Sequence, residues 1–186
     1  MIARYFIALL TGLMLLNGAA RALPATVAPA HIAHQVPGAR LAGAGTFRWY
    51  GLKIYDAQLW VGDKGYSPSA PQVAPFALEL TYARALVGKK IAESSADEMK
   101  KLGYGSAEQR TAWLVKMRAL FPDVQEGTCI TGIFLPAGSA RFFLDGKPLG
   151  EIVDSEFATA FFAIWLDPKT TGGKLRDALL QDAAAR

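Results

Sequence analysis

Cysteine and histidine are scarce in this chain, with one Cys and two His among 186 residues. A lone Cys129 excludes an intramolecular disulfide, so packing must hold the fold together. It lies in the strand-like run Thr128-Cys129-Ile130-Thr131-Gly132-Ile133-Phe134, where a buried, inert thiol is the expected state. His31 and His34 stand three apart in a Pro-containing stretch with no cysteine or carboxylate beside them. Four-coordinate zinc needs more ligands on a fixed frame, so no metal site is expected. The same scarcity disfavours a Ser-His-Asp set, because a histidine on a loose leader is not held within hydrogen-bond reach of a serine. Gly43-Ala44-Gly45 looks like part of a glycine loop, yet no strand precedes it and no helix follows. A dinucleotide fingerprint fails on that context, which leaves a sheet-entry turn as the expectation and no cofactor.

Long apolar runs are also missing, apart from one near the start. Tyr5 to Leu16 follows Arg4 and precedes small residues at Ala20 and Ala22. This run is shorter than the roughly 20 residues a membrane-spanning helix needs. Residues 1–22 therefore read as a signal peptide cleaved after Ala22, with a periodic small-residue end and a positive start. The expected product is periplasmic or secreted, with no stable membrane anchor; an uncleaved anchor is the alternative. Asn17 and the lack of a Cys at the cleavage site argue against a lipoprotein. Losing Arg4 and Arg21 takes the 20 basic residues to 18 against 16 acidic, a balance of +2. A chain so close to neutral offers no electrostatic case for nucleic acid.

What is present reads as α+β. Residues 23–40, with Pro24, Pro29 and Pro37, form an Ala/Pro-rich leader expected to be loosely ordered, and residues 41–186 a single domain. Strands are expected at 46–50, 52–61 and 76–82, the last with Phe76, Leu78, Leu80 and Tyr82 on one face. Helical spacing follows from Leu86 to Leu102, closed by Gly103, and then from a Ser106 cap with Gln109 at the capping-box position up to Pro122. Further strands at 128–135 and 140–144 lead through the turn Asp145-Gly146 into 147–153. Ser155 is expected to cap a helix ending at Asp167-Pro168, and a last helix spans 173–181. The carboxylates Glu151, Asp154 and Glu156 sit where a helix N-terminus stabilises negative charge, so a structural role outweighs acid-base work by Glu151 and Glu156. Phe157, Phe161, Phe162, Ile164 and Trp165 fit core packing, with the wall of a lipid pocket as the other reading.

Arg48 and Asp56 interrupt an apolar, strand-like run and must be paired, snorkelled or used. If strand alternation continues through Gly51 the two share a sheet face; if Gly51 turns the chain into a hairpin they can stand opposite one another. Either geometry allows a structural ion pair, with Tyr50 or Tyr82 satisfying the guanidinium. The functional reading makes Arg48 a clamp for a ligand carboxylate, with the apolar interior holding the tail.

Gly43-Ala44-Gly45, Arg48, Lys53-Ile54-Tyr55 and Leu59-Trp60-Val61 resemble the opening strands of chalcone isomerase-like proteins. Phe76-Ala77-Leu78-Glu79-Leu80, Ile91-Ala92-Glu93, Lys101-Leu102-Gly103, Phe142 to Lys147 and Phe157 to Leu166 resemble later blocks of that family, and the likeness is to its bacterial exported members. The resemblance implies an open-faced β-sandwich, a large antiparallel sheet with a helical layer on one face. It implies a substrate-binding arginine, for which Arg48 is the match, although an ungapped count back from Lys53 puts Phe47 there. The family's catalytic threonine, tyrosine, asparagine and late hydroxyl align with Tyr55, Val87, Ser94 and Ala163, so the ketone-polarising donors are mostly gone. Losing one such donor costs on the order of 10² to 10³ in rate. The resemblance thus implies an exported, noncatalytic protein for a small apolar or amphipathic ligand such as a fatty acid. Arg48 with Tyr50, Tyr55 or Tyr82 would hold its carboxylate. The alternatives are an isomerase or lyase of altered specificity using Arg48, and an exported interaction module without a small ligand.

Overall fold

The computed structural model describes residues 27–185. The signal peptide and cleavage site expected at 1–22, and the first residues of the leader, lie outside that range. Six strands form one antiparallel sheet in chain order: β1 (Arg40–Trp49), β2 (Leu52–Val61), β3 (Phe76–Tyr82), β4 (Cys129–Leu135), β5 (Ser139–Leu144) and β6 (Lys147–Val153). Alternation puts Phe76, Leu78, Leu80 and Tyr82 of β3 on the inner face with Leu59, Val61, Ile130, Phe134 and Phe142. Onto this face pack α2 (Gly88–Leu102), α3 (Ala107–Leu120), α4 (Ser155–Leu166) and α5 (Gly173–Leu179). Among the described residues no helix is long and apolar enough to cross a membrane.

Turn and cap chemistry account for where these elements end. Tyr50 and Gly51 both have positive φ, 47° and 82°, which joins β1 to β2 in a tight hairpin. Asp145 and Gly146, at 48° and 77°, do the same between β5 and β6. Gly103 closes α2 in the left-handed conformation, and Ser106 with Gln109 forms the capping box of α3. Helix α4 is capped by Asp154 rather than Ser155: its carboxylate accepts from Phe157 N at 2.9 Å and from Trp113 Nε1 at 2.9 Å. The expected start of α2 at Leu86 also moves, because Leu86 instead bridges to Val124.

Two further expectations are corrected. Gly43-Ala44-Gly45 is not a turn but the middle of β1. A β-carbon on Gly43 would collide with the backbone of Ala178 and Leu179, so the glycines are there to let α5 lie directly on the strand. The leader is not loose from residue 28 onward. Its short helix α1 (Ala30–Ala33) and the residues after it lie on the outer face of the sheet, with Ile32 and Val36 fully buried beside Trp60, Ala77, Ile133 and Phe143. The two apolar side chains stand four apart, a spacing that the surrounding Ala and Pro residues obscure. Polar anchors hold the segment: His31 Nε2 lies 3.0 Å from Thr131 Oγ1, and Arg141 Nη1 donates to Gln35 Oε1 at 2.6 Å.

Candidate functional site

A cavity of about 410 Å³ opens between the inner face of β1–β3 and helices α2 and α4. Its floor is aromatic. Phe47 of β1 stacks on Tyr55 of β2 with ring centroids 5.1 Å apart, and Tyr55 meets Tyr82 of β3 edge-on at 6.0 Å. Leu80, Ile91, Phe161 and Ile164 continue the apolar wall. The lining residue Leu175 brings α5 to one end, beside the loop carrying Thr170 and Gly172.

Few polar groups reach this interior. Trp165 Nε1 donates to Tyr55 Oη at 3.0 Å, which satisfies the buried indole and fixes the phenol. Tyr82 Oη makes no hydrogen bond among the described residues, and both Tyr82 and Tyr55 line the cavity. Burial pushes both phenols far above the ordinary tyrosine range, so both are neutral donors at any physiological pH. Charge is confined to the mouth, where Lys90, Asp97, Glu98 and Lys101 of α2 contribute to the lining. Lys101 is paired with Glu98 at 2.6 Å and Lys90 with Glu93 at 2.7 Å, and both lysine side chains are largely exposed.

Of the residues singled out from sequence, Tyr55 and Tyr82 line the cavity, whereas Arg48 and Tyr50 do not. Unbroken alternation along β1 sets Gly43, Gly45, Phe47 and Trp49 on the inner face and Arg48 on the outer one. Phe47 faces Tyr55 but Arg48 faces Lys53, so Ile54 is the extra residue of a bulge. Ile54 and Tyr55 then both reach the cavity, Phe47 occupies the inward position, and Arg48 is exposed, donating from Nη1 to Gly51 O at 3.2 Å. Tyr50 is 90% exposed at the hairpin tip.

The Arg48–Asp56 ion pair is not formed. Asp56 is held instead by Lys53 at 2.6 Å and by the Thr46 hydroxyl at 2.6 Å, contacts that keep its carboxyl below the usual range. Among positions aligned with catalytic groups, Tyr55 and Ser94 line the cavity, Val87 is half exposed outside it, and Ala163 is buried away from it. Phe47 and Ile91 were missed as site residues; the aromatic stripe of α4, read as core with a lipid-pocket wall as the other reading, divides, Phe157 and Phe162 going to the core and Phe161, Ile164 and Trp165 to the cavity wall.

The remaining candidates for chemistry stand apart from one another. Glu151 pairs with Arg141 at 2.9 Å, Asp154 is a cap, and Glu156 accepts from Gln109 Nε2. Burial raises the Cys129 thiol to about 11, which leaves it protonated and unreactive at neutral pH. Among the described residues no three His, Cys, Asp or Glu side chains are grouped to hold a metal ion.

A sequence model of chalcone isomerase-like proteins matches residues 28–181. An uncharacterized protein of Haemophilus influenzae is 28% identical over 138 residues, which is 74% of this chain and 66% of that protein's length. The crystal structure of the Arabidopsis thaliana fatty-acid binding protein AtFAP1 superposes with a TM-score of 0.60. That match covers 87% of this chain and 92% of the other at 13% identity, so it speaks for the fold.

Proposed function

The chain belongs to the chalcone isomerase-like family, and from that premise we propose that it is a noncatalytic binding protein for an elongated apolar or amphipathic ligand such as a fatty acid. The observation that carries this reading is the cavity itself: about 410 Å³, apolar and aromatic inside and charged only at its mouth. That size falls within the roughly 300–1,000 Å³ of small-molecule sites. The fatty-acid binding named for the structural neighbour AtFAP1 supports the same class of ligand.

The charge distribution sets the ligand's orientation. No arginine among the described residues lines the interior, and an ionised carboxylate placed among Phe47, Leu80 and Phe161 would lose several kcal/mol of solvation without a partner. The acid group therefore stays at the mouth beside Lys90 and Lys101, and the alkyl chain enters. Tyr82 Oη is the uncommitted donor inside and suits an oxygen along the chain. The binding role also fits the loss of donors: Val87 and Ala163 stand outside the cavity and carry no hydroxyl.

Native mass spectrometry of the purified protein tests the reading, together with displacement of a fluorescent fatty acid. Ser94→Trp, at the mouth on α2, is expected to lower probe affinity at least about tenfold while leaving the unfolding midpoint unchanged. Lys90→Gln with Lys101→Gln should weaken a carboxylate up to about fivefold and leave the alcohol of equal length unaffected, as expected for exposed charges. A protein that carries no lipid and binds no probe sinks the proposal. Export belongs to it as well, on the signal pattern of residues 1–22; amino-terminal sequencing of protein from the periplasmic fraction should begin at Leu23, and a start at Met1 would refute it.

A further inference from the structure

Among the described residues, exposed apolar surface gathers at one place, the end of the sheet beside the cavity mouth. Trp49 and Leu52 are each 56% exposed, Tyr50 90% and Val87 52%. Trp49 and Leu52 face each other across the β1–β2 hairpin, and the Trp49 and Tyr50 rings meet edge-on at 5.0 Å. Trp49 also lines the cavity, so the hairpin tip forms one lip of the mouth. The other exposed large apolar residues, Val27, Val73, Val115 and Val153, are valines on separate parts of the chain. Tyr50 is a costly choice for folding, because a left-handed backbone favours Gly or Asn and its ring packs on Trp49 alone among aromatics.

Cations surround this tip. Arg48 and Lys53 flank it on the hairpin, and Arg84 is brought alongside by the bond from Ala83 N to Ile54 O at 2.9 Å. Lys89 and Lys90 open α2 beside Val87. Most carboxylates nearby are already engaged, Asp56 by Lys53, Glu93 by Lys90 and Arg118, Glu98 by Lys101 and Asp123 by Gly88 N, while Asp97 lies farther along the mouth. Arg48, Arg84 and Lys89 meet no carboxylate among the described residues. Exposed Trp and Tyr ringed by basic side chains match the chemistry of an anionic lipid surface: amphipathic rings settle at headgroup depth and lysine and arginine attract the phosphates.

We propose that the β1–β2 hairpin tip and the start of α2 dock on an anionic bilayer, turning the cavity mouth toward the lipid. The docking deepens the ligand-binding reading and rests on it for its use, because a mouth held at the headgroup level lets an apolar ligand pass between bilayer and cavity without crossing water.

Trp49 supplies the readout. The other tryptophans, Trp60, Trp113 and Trp165, are at most 8% exposed, so aqueous quenching reports on Trp49. With full-length protein and vesicles of phosphatidylglycerol mixed with phosphatidylcholine, Trp49 emission should shift to the blue, lose acrylamide quenching and gain quenching by brominated acyl chains. Phosphatidylcholine vesicles should give little response. Arg84→Gln and Lys89→Gln should each lower vesicle partition about fivefold, and salt should weaken it as the Debye length falls to about 8 Å. The proposal is overturned if Trp49 stays open to acrylamide in the presence of anionic vesicles. Vesicle binding indifferent to Arg84→Gln and Lys89→Gln would place attachment in another segment, and shielding of Trp49 only by a second protein would make the tip a protein interface; both overturn it. Probe binding without a vesicle response removes the docking and leaves the cavity reading, whereas a vesicle response without probe binding removes the cavity reading.

Discussion

Substituting Gly43→Ala adds one carbon at the point where α5 rests on β1. That carbon would meet the Ala178 carbonyl and, at 2.6 Å, the Leu179 carbonyl oxygen. These are backbone atoms of a helix and cannot rotate aside, so α5 must lift. The helix is docked by Leu175 and Leu179, 7% and 0% exposed, and by the segment after it, where Asp182 N donates to Ala42 O at 2.8 Å. Full burial of each leucine is worth about 1.5–3 kcal/mol, so complete undocking would cost about 3–6 kcal/mol and a partial lift about 3 kcal/mol. Gly45→Ala differs in kind. Its new carbon meets the Leu175 Cδ1 methyl at 2.8 Å, the end of a side chain that can turn, and about 1–2 kcal/mol is expected. Ala44→Ser, exposed on the opposite face, should change stability by less than about 0.5 kcal/mol. Urea unfolding of the three variants gives the order directly. Because Leu175 also lines the cavity, Gly43→Ala should release a bound probe as well. A Gly43→Ala protein as stable as its parent, or less affected than Gly45→Ala, would show that the glycines do not serve helix docking.

Removing the cap of α4 with Asp154→Ala should cost about 2–4 kcal/mol, since the helix loses its N-cap and Trp113 Nε1 its acceptor; Asp154→Asn should recover most of this in the same denaturation assay. Tyr55→Phe leaves Trp165 Nε1 without its acceptor and should cost about 1–3 kcal/mol, with Trp165 emission altered. Glu151 is held below its ordinary value of 4.5 by the Ser139 hydroxyl and by Arg141, against the opposing effect of burial. The unfolded chain thus takes up this proton first on acidification, so the stabilisation is complete above about pH 4.5 and fades as pH falls through the folded value. Glu151→Gln should flatten that limb of an acid titration of stability, and an unchanged limb would exclude Glu151 as its source.

Local chemistry made most elements legible. Alternation in Phe76 to Tyr82, the capping box of Ser106 and Gln109, and Asp145-Gly146 each act within a few residues, and each appears where expected. Tyr50-Gly51 left the hairpin open because tyrosine is not a usual left-handed residue. The site was less legible, for two reasons. A void has no sequence period: its walls come from strands, α2, α4 and α5, brought together by tertiary packing. Alternation from Gly43 and Gly45 carries Phe47 inward and Arg48 outward, a phase set by α5 lying on the glycines, and the bulge at Ile54 brings two successive β2 residues, Ile54 and Tyr55, to the cavity. The outer-face segment was hidden for a related reason, since only Ile32 and Val36 in an Ala/Pro context mark its buried side.

Strand order equal to chain order has a consequence for how the molecule opens. Each strand pairs with its chain neighbours, so β1–β2 and β4–β5–β6 are local hairpins that need no remote partner to begin, whereas β3 joins β4 only across the inserted α2 and α3. Further remote closures are made by the two ends of the described chain: α5 fastens to β1 on one face, and His31 reaches Thr131, a hundred residues away, on the other. Amide exchange should therefore be slowest in β3 and β4, the strands farthest from either edge, and quicken toward β1 and β6. The sheet side of the cavity is therefore graded, from the edge strand β1, which opens at the lowest free energy, to the protected β3.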